Sequence, residues 1–278
     1  MESHANGVVD RQALHAELKH HQWIEAARAD VVTLATDYPD GHHVAIHRHS
    51  RSQLLYALSG VVMVTTGSGR WMVPPEHSIW LPAGVDHAVD MLGDVQMRSV
   101  YVRPDAIAGL PEDLRVVAVT NLMRSLIVEA MALPQEEPPT RRGALILELL
   151  LHEIPYLPER PLALPFPASR RLTTLCRRFL EAPSPHSTID DWASAAGMSR
   201  RNFTRSFQRE TGLTLSMWRQ QACLFAALPR LADGEPVTTV ALDLGYESVA
   251  AFITMFRRMM GESPRTWLKH GRRNAATI

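Results

Sequence analysis

One stretch of this 278-residue chain can be laid on another. IDDWASAAGMSRRNFTRSFQRETGLT, from Ile189, matches VTTVALDLGYESVAAFITMFRRMMGESP, from Val237. Phe203 and Phe207 correspond to Phe252 and Phe256, and Gly212 to Gly261, all at an offset of 49. An imperfect repeat of this kind means two copies of one small helical unit, here joined by one longer helix. Each copy opens with a short helix bearing alanines and a branched or aromatic residue (Ile189, Trp192, Ala193, Ala196; Val237, Val240, Ala241, Leu244). Gly197 or Gly245 follows, where a tight turn favours a missing Cβ. Ser199 and Ser248 are then the expected N-caps of the next helix.

In that next helix Phe203 and Phe207 lie four apart and share one face. The opposite face carries Arg200, Arg201, Thr204, Arg205, Gln208 and Arg209. Such a face suits a DNA major groove, because arginine can make bidentate contacts to guanine while arginines at the ends hold phosphates. The second copy offers Val249, Ala250, Thr254, Arg257 and Arg258, a less polar set that would read by methyl contacts, shape or phosphates. A single helix of this kind would be an ordinary solvated face; two copies with matching turns point to nucleic acid.

Charge placement agrees. The chain has 29 basic and 29 acidic residues, which excludes a uniformly basic nucleic-acid sheath. Residues 1–168 nevertheless carry −7 and residues 169–278 carry +7. Lys269 is the only lysine after residue 169, an arginine bias that fits planar, bidentate recognition. Two cysteines, Cys176 and Cys223, make no disulfide framework and fit a reducing compartment. The opening MESHANGVVD lacks a signal-peptide core, and no apolar run approaches a membrane span, so the expected location is cytoplasmic, with no membrane partner.

From Val31 to Val102 the texture is short apolar runs punctuated by Asp-Gly, Gly-Ser-Gly and Pro-Ala-Gly, which predicts an all-β sandwich or small barrel with a hairpin at Gly67 and Gly69. His47 and His49 are two apart, so on a strand they face the same way, and Gln53 continues that parity. His87 on a neighbouring strand closes a candidate cluster. Of His42 and His43 at most one can point inward, and His20 and His21 read as solvent-exposed. Imidazoles suit one divalent transition metal (Fe, Ni, Co, Zn or Mn), with the amide of Gln53 a weaker ligand. A metal-free small-molecule pocket lined by the same histidines is the competing reading. Helical periodicity begins at Asp113, broken by PQEEPPTRR, and the proline-rich PYLPERPLALPFPAS reads as a linker.

GLTLSMWRQ and LADGEPVTTVALDLGYESVAAFITMFRRMMGESPRTWL resemble the DNA-binding domain of AraC/XylS-type transcriptional regulators, over roughly residues 170–270. Together with the N-terminal part, the chain most resembles the NimR-like branch, whose members are associated with adjacent efflux-transporter genes. The resemblance implies two helix-turn-helix motifs, near 189–210 and 237–258, and a long helix between them near 216–231. Three departures stand out. Cys223 sits where the family usually has arginine, Ala250 where it often has serine, and Pro229 falls late in the long helix. The histidine spacing resembles cupin metal motifs, but Gln53 stands where cupins commonly carry glutamate and Glu76 where they carry glycine.

The sequence therefore predicts a two-domain α+β protein. A flexible leader (1–30) precedes a cupin-like β-barrel sensor (31–112), with a helical appendage (113–160) that connects or dimerises the chain. A linker (161–169), an all-α domain with two helix-turn-helix motifs (170–270) and a tail (271–278) follow. The expected partners are double-stranded promoter DNA, a small-molecule or metal effector, a second copy as a homodimer, and RNA polymerase if the protein activates. A metal-dependent cupin enzyme with a DNA-binding tail and an effector-independent DNA-binding protein are the alternatives; no nucleophile–base arrangement favours catalysis.

Overall fold

The computed structural model describes residues 20–134, 139–184 and 186–275, with side chains described to residue 269. The leader before residue 20 and the end of the tail lie outside the described residues. A short helix, α1 (20–26), precedes strands β1 (Val31–Tyr38), β2 (His43–His47), β3 (Ser52–Thr66), β4 (Gly69–Val73), β5 (His77–Leu81), β6 (His87–Val102) and β7 (Arg115–Ala118). Helices α2 (Asn121–Met131) and α3 (Arg141–Glu153) follow, then a 3-10 turn (Ile154–Tyr156) and strands β8 (Glu159–Arg160) and β9 (Ala163–Pro165). The rest is helical: α4 (Arg170–Glu181), α5 (Ile189–Ala195), α6 (Arg200–Thr211), α7 (Leu215–Ala232), α8 (Val237–Asp243), α9 (Val249–Met260) and α10 (Pro264–Ala275).

The strands form one antiparallel sheet in the order β1-β6-β3-β5-β7-β8, with β2 also on β6, β4 on β3, and β9 on β4. This sheet is open. The closed cupin-like barrel expected from the sequence does not form: β1 and β2 bound one side, β8 and β9 the other, and no ladder among the described residues joins them. Closure requires the outer strands to pair with each other at a fixed stagger. Here helices bury the sheet instead. Along β3, Leu54, Tyr56 and Leu58 pack with Trp80 and Val100 against Met123, Ile127 and Leu150 of α2 and α3. Leu55 and Ala57, one residue out of phase, belong to a second core, as the two-residue period of a strand requires.

That second core does not stop at the sheet. It runs from Val62, Met72 and Val95 into Trp218, Ala222 and Phe225 of α7 and onward to Phe252, Phe256 and Trp267. Two backbone carbonyls fix the junction. The Trp218 indole N–H donates to Pro165 O at 2.9 Å, and Gln221 Nε2 donates to Pro161 O at 3.2 Å. Residues 159–165, within the stretch expected to be a linker, thus supply β8, β9 and the acceptors that receive α7. Residues 115–118, expected to be helical, form β7 paired with β5; a short apolar run such as RVVA has no period that separates strand from helix.

β3 and β6 stay paired from Ser52↔Val102 to Thr65↔Ala88, with register shifts around Ser59. Gly60 occupies the shift at φ 72°, and a Cβ there would lie 2.6 Å from Asp94 O, so the bend needs glycine. In the helical unit, Trp192, Phe203, Phe207 and Trp218 form one aromatic core and Tyr246, Phe252, Phe256 and Trp267 another. Pro229 does not end α7, which continues to Ala232; so near the helix end its ring removes only one late backbone bond. Cys223 is buried on the same helix, and burial pushes its thiol up to about 11.

Candidate functional site

Among the described residues, two places stand out for chemistry beyond packing. The first is the pair of repeated helices. Ser199 Oγ accepts from Asn202 N and Ser248 Oγ from Ala251 N, so α6 and α9 start at the serines the sequence marks. Both end at left-handed glycines, Gly212 (φ 72°) and Gly261 (φ 82°). Phe203, Phe207, Phe252 and Phe256 are fully buried, which turns Arg200, Arg201, Thr204, Arg205 and Arg209 to solvent on α6, with Ala250, Thr254, Arg257 and Arg258 exposed on α9; Gln208 is also exposed, and Val249 is half-buried.

The structure separates these residues in a way the sequence does not. Arg200 reaches Asp190 at 3.4 Å, Arg209 reaches Glu210 at 3.3 Å, and Arg258 donates to Gln220. The side chains of Arg201, Arg205 and Arg257 make no hydrogen bond or ion pair among the described residues. Thr204 and Thr254 donate their hydroxyl hydrogens to Arg200 O and Ala250 O, both at 2.9 Å, so each presents outward a methyl and lone pairs, not a donor.

The second place is the histidine cluster. His47 and His87 sit directly opposite each other in the β2–β6 ladder, their rings 4.3 Å apart. His49 lies just past the end of β2, yet its ring is 4.9 Å from His47 and 5.6 Å from His87. One ring nitrogen from each lies within 4.8 Å of the others. Nδ1 of His47 donates to Ala45 O and Nδ1 of His87 to Val85 O, each at 2.8 Å, which leaves the lone pair of each ring on Nε2. Nε2 of His87 and both nitrogens of His49 are buried without a hydrogen-bond partner. Burial, reinforced by the neighbouring histidines, lowers the His49 pKa to about 3; burial lowers that of His87 to about 4. Two imidazoles oriented by carbonyls, His47 and His87, and unpartnered nitrogens on His49 and His87 fit a transition-metal cation, and His47, His49 and His87 are the residues that would hold it.

Gln53 is buried nearby, but its Nε2 donates to Ser99 Oγ at 3.0 Å and Tyr101 Oη at 3.1 Å, and the Tyr101 ring in turn abuts His49. His43 pairs with Asp90 at 2.6 Å, and His42 stacks on Tyr38; neither belongs to the cluster. His21, read as solvent-exposed, does belong: with Glu25 and His49 it forms a second group of possible ligands within 4.8 Å. The four-residue spacing of His21 and Glu25 on a helix was the signal for a shared face. A cavity of about 220 Å³ adjoins, lined by Ile24, Leu34, Tyr38, Val44, His49 and Tyr101 among others.

Residues 28–155 match the family described as AraC-like ligand binding domain, and residues 192–270 match a helix-turn-helix domain. The HTH-type transcriptional regulator NimR of Escherichia coli (strain K12) is 32% identical over 90% of this chain and 89% of its own length. The chain belongs to the AraC/XylS family of transcriptional regulators. Its two-domain organisation, with an N-terminal ligand-binding domain and a C-terminal all-α helix-turn-helix domain, is that of a DNA-binding regulator in this family, not of an enzyme. The HTH-type transcriptional regulator RipA of Corynebacterium glutamicum is 30% identical over 37% of this chain and 31% of its own length. ToxT from Vibrio cholerae, solved bound to an unsaturated fatty acid, aligns over 87% of this chain and 97% of its own at 10% identity and a TM-score of 0.36. No described helix of this family member is long and apolar enough to cross a membrane.

Proposed function

We propose that this AraC/XylS-family protein is a one-component regulator. Its promoter binding or output responds to a small molecule or divalent transition metal held in the sheet domain. Arg200, Arg201, Thr204, Arg205, Gln208 and Arg209 form the reading face of the first motif, and Val249, Ala250, Thr254, Arg257 and Arg258 that of the second. The observation that carries the reading is the continuous core from the sheet into α7, because it gives the sensor a packed route to the helix that joins the two motifs. A ligand changes DNA binding only when it favours one interdomain arrangement over another.

His47, His49 and His87 are the ligands we assign to a metal effector, with Gln53 behind them. The apolar cavity beside them supports the small-molecule alternative. Residues 31–112 act as sensor, 113–160 as connector or dimer contact, and 170–270 as the promoter-binding unit. Exposed Leu122, Val128, Leu145 and Leu149 on α2 and α3 support a homodimer. The target proposed from the NimR-like resemblance is an adjacent efflux-transporter gene, with RNA polymerase the further partner if the output is activation. The test is promoter affinity and transcription at fixed salt, with and without added Zn²⁺ or candidate effector. Equal affinity and equal output in every state overturn ligand control.

A further inference from the structure

The three-histidine group lacks an anionic ligand, and Gln53, where a carboxylate would be expected, has its amide nitrogen committed to Ser99 and Tyr101. A carboxylate nevertheless arrives from another element. Glu25 on α1 lies 3.9 Å from His49 Nδ1, and His21, one turn earlier, brings its ring centre to 5.2 Å from that of His49. Nδ1 of His21 is buried without a hydrogen-bond partner, as are both nitrogens of His49. His49 is therefore common to two groups of donors, one from the sheet and one from α1.

The placement of α1 is built, not incidental. Ile24, between His21 and Glu25, is buried against Val32 and Tyr101. The Arg51 guanidinium, itself buried, donates to the carbonyls of Ile24, Ala27, Ala29 and Asp30 and so holds the end of the helix and the turn after it. Ser50 N donates to Glu25 Oε1 at 3.0 Å, which orients the carboxylate at the His49 turn. With these anchors, the His21–Glu25 face has one direction to point.

We infer that a transition-metal cation held at His49 by His47 and His87 draws Glu25 and His21 in as further ligands, so that loading clasps α1 to the sheet. This rests on reading the N-terminal domain as the sensor, and it names both the ligand class and the element that responds. Imidazole nitrogens with one carboxylate suit Zn²⁺, Fe²⁺, Co²⁺ or Ni²⁺, whereas Ca²⁺ and Mg²⁺ take oxygen ligands. Binding adds metal–ligand bonds to the contacts that already hold α1 at the sheet, the packing of Ile24, the Arg51 hydrogen bonds and the Ser50–Glu25 hydrogen bond, so loading ties α1 down.

The test uses the full chain. Co²⁺ is titrated against a competing chelator while its visible absorption is recorded, for wild type and for Glu25→Gln, His21→Gln and His49→Ala. Amide exchange over residues 20–26 is followed with and without Zn²⁺. Expected are affinities lower by about tenfold or more in Glu25→Gln and in His21→Gln, with altered Co²⁺ bands. Zn²⁺ should slow exchange across α1 in wild type but not in His49→Ala. Glu25 and His21 lie on a short surface helix, so their variants keep the fold. Wild-type affinity and spectrum in both overturn the clasp even where His49→Ala abolishes binding, because the centre is then the sheet histidines alone. Absence of Co²⁺ binding in wild type also overturns it, and leaves the promoter reading to its own DNA assay.

Discussion

Among the described residues the side chains of Arg201, Arg205 and Arg257 have no partner, whereas those of Arg200, Arg209 and Arg258 each have one. The difference sets a ranking for DNA contacts. Each arginine that neutralises a phosphate steepens the fall of log K with log salt by about 0.9, and a bidentate base contact is worth about 1–3 kcal/mol. Arg201→Ala and Arg205→Ala should each flatten the slope by about 0.9 if the contact is to phosphate, or lose about tenfold in affinity at one base pair if it is to a base. Arg200 must first leave Asp190. That pair spans 3.4 Å with both side chains about two-thirds exposed, so it is worth at most about 1 kcal/mol, or about fivefold. Asp190→Asn should therefore raise DNA affinity by up to about fivefold, and Arg200→Ala should cost more in that background than in wild type. Fluorescence anisotropy on a promoter duplex across a salt series reads every arm. Unchanged slopes and affinities in Arg201→Ala and Arg205→Ala, with a full loss in Arg200→Ala alone, refute the ranking and the face.

Burial lowers the His77 pKa to about 4, against 6.5 when unfolded. The folded state thus excludes a proton that the unfolded state binds; the stability is present above pH 6.5 and lost as pH falls towards 4, by about 2 kcal/mol at pH 5. Urea midpoints should fall less steeply below pH 6.5 in His77→Asn than in wild type, and parallel curves would exclude His77 as the cause. Gly69→Ala puts a Cβ 2.6 Å from Leu164 O and must push β9 aside, at about 1–3 kcal/mol, whereas Gly67→Ala meets nothing within 4 Å and should be near neutral. Equal unfolding midpoints for the two glycine variants would contradict this. Trp218→Phe strands Pro165 O and should cost about 1–3 kcal/mol in chemical denaturation, a loss that an unchanged midpoint would rule out.

The helical half was legible because its signals are local. Ser199 and Ser248 cap within three residues, Gly212 and Gly261 end helices one residue on, and the phenylalanine spacing sets the buried face. The sheet was less legible because pairing is non-local. Alternation along β3 marks two faces but says nothing about whether β1 ever meets β8. Proline at the end of β9 looks like linker, yet an edge strand tolerates it, because Pro165 sits opposite Gly69 with its carbonyl turned to Trp218. His47, His49 and His87 were found by parity and motif. His21 stands before the β-rich region, so nothing in the sequence ties it to the cluster, and only the packing of Ile24 shows which way its helix turns.

β6 carries His87 at its first residue and Gly93 six residues later, where Asp233 at the end of α7 comes close. Six strand residues span about 20 Å. Sliding β6 against β3 by one residue would turn Val89 and Met91 out of the core, so the ladder has no small slip available. Were the proposed ligand to displace His87, the ladder would carry that shift to the end of α7 as motion of a stiff rod, with relief where α7 rests on the sheet. The response expected of such a joint is a seat made or broken, a step and not a gradient.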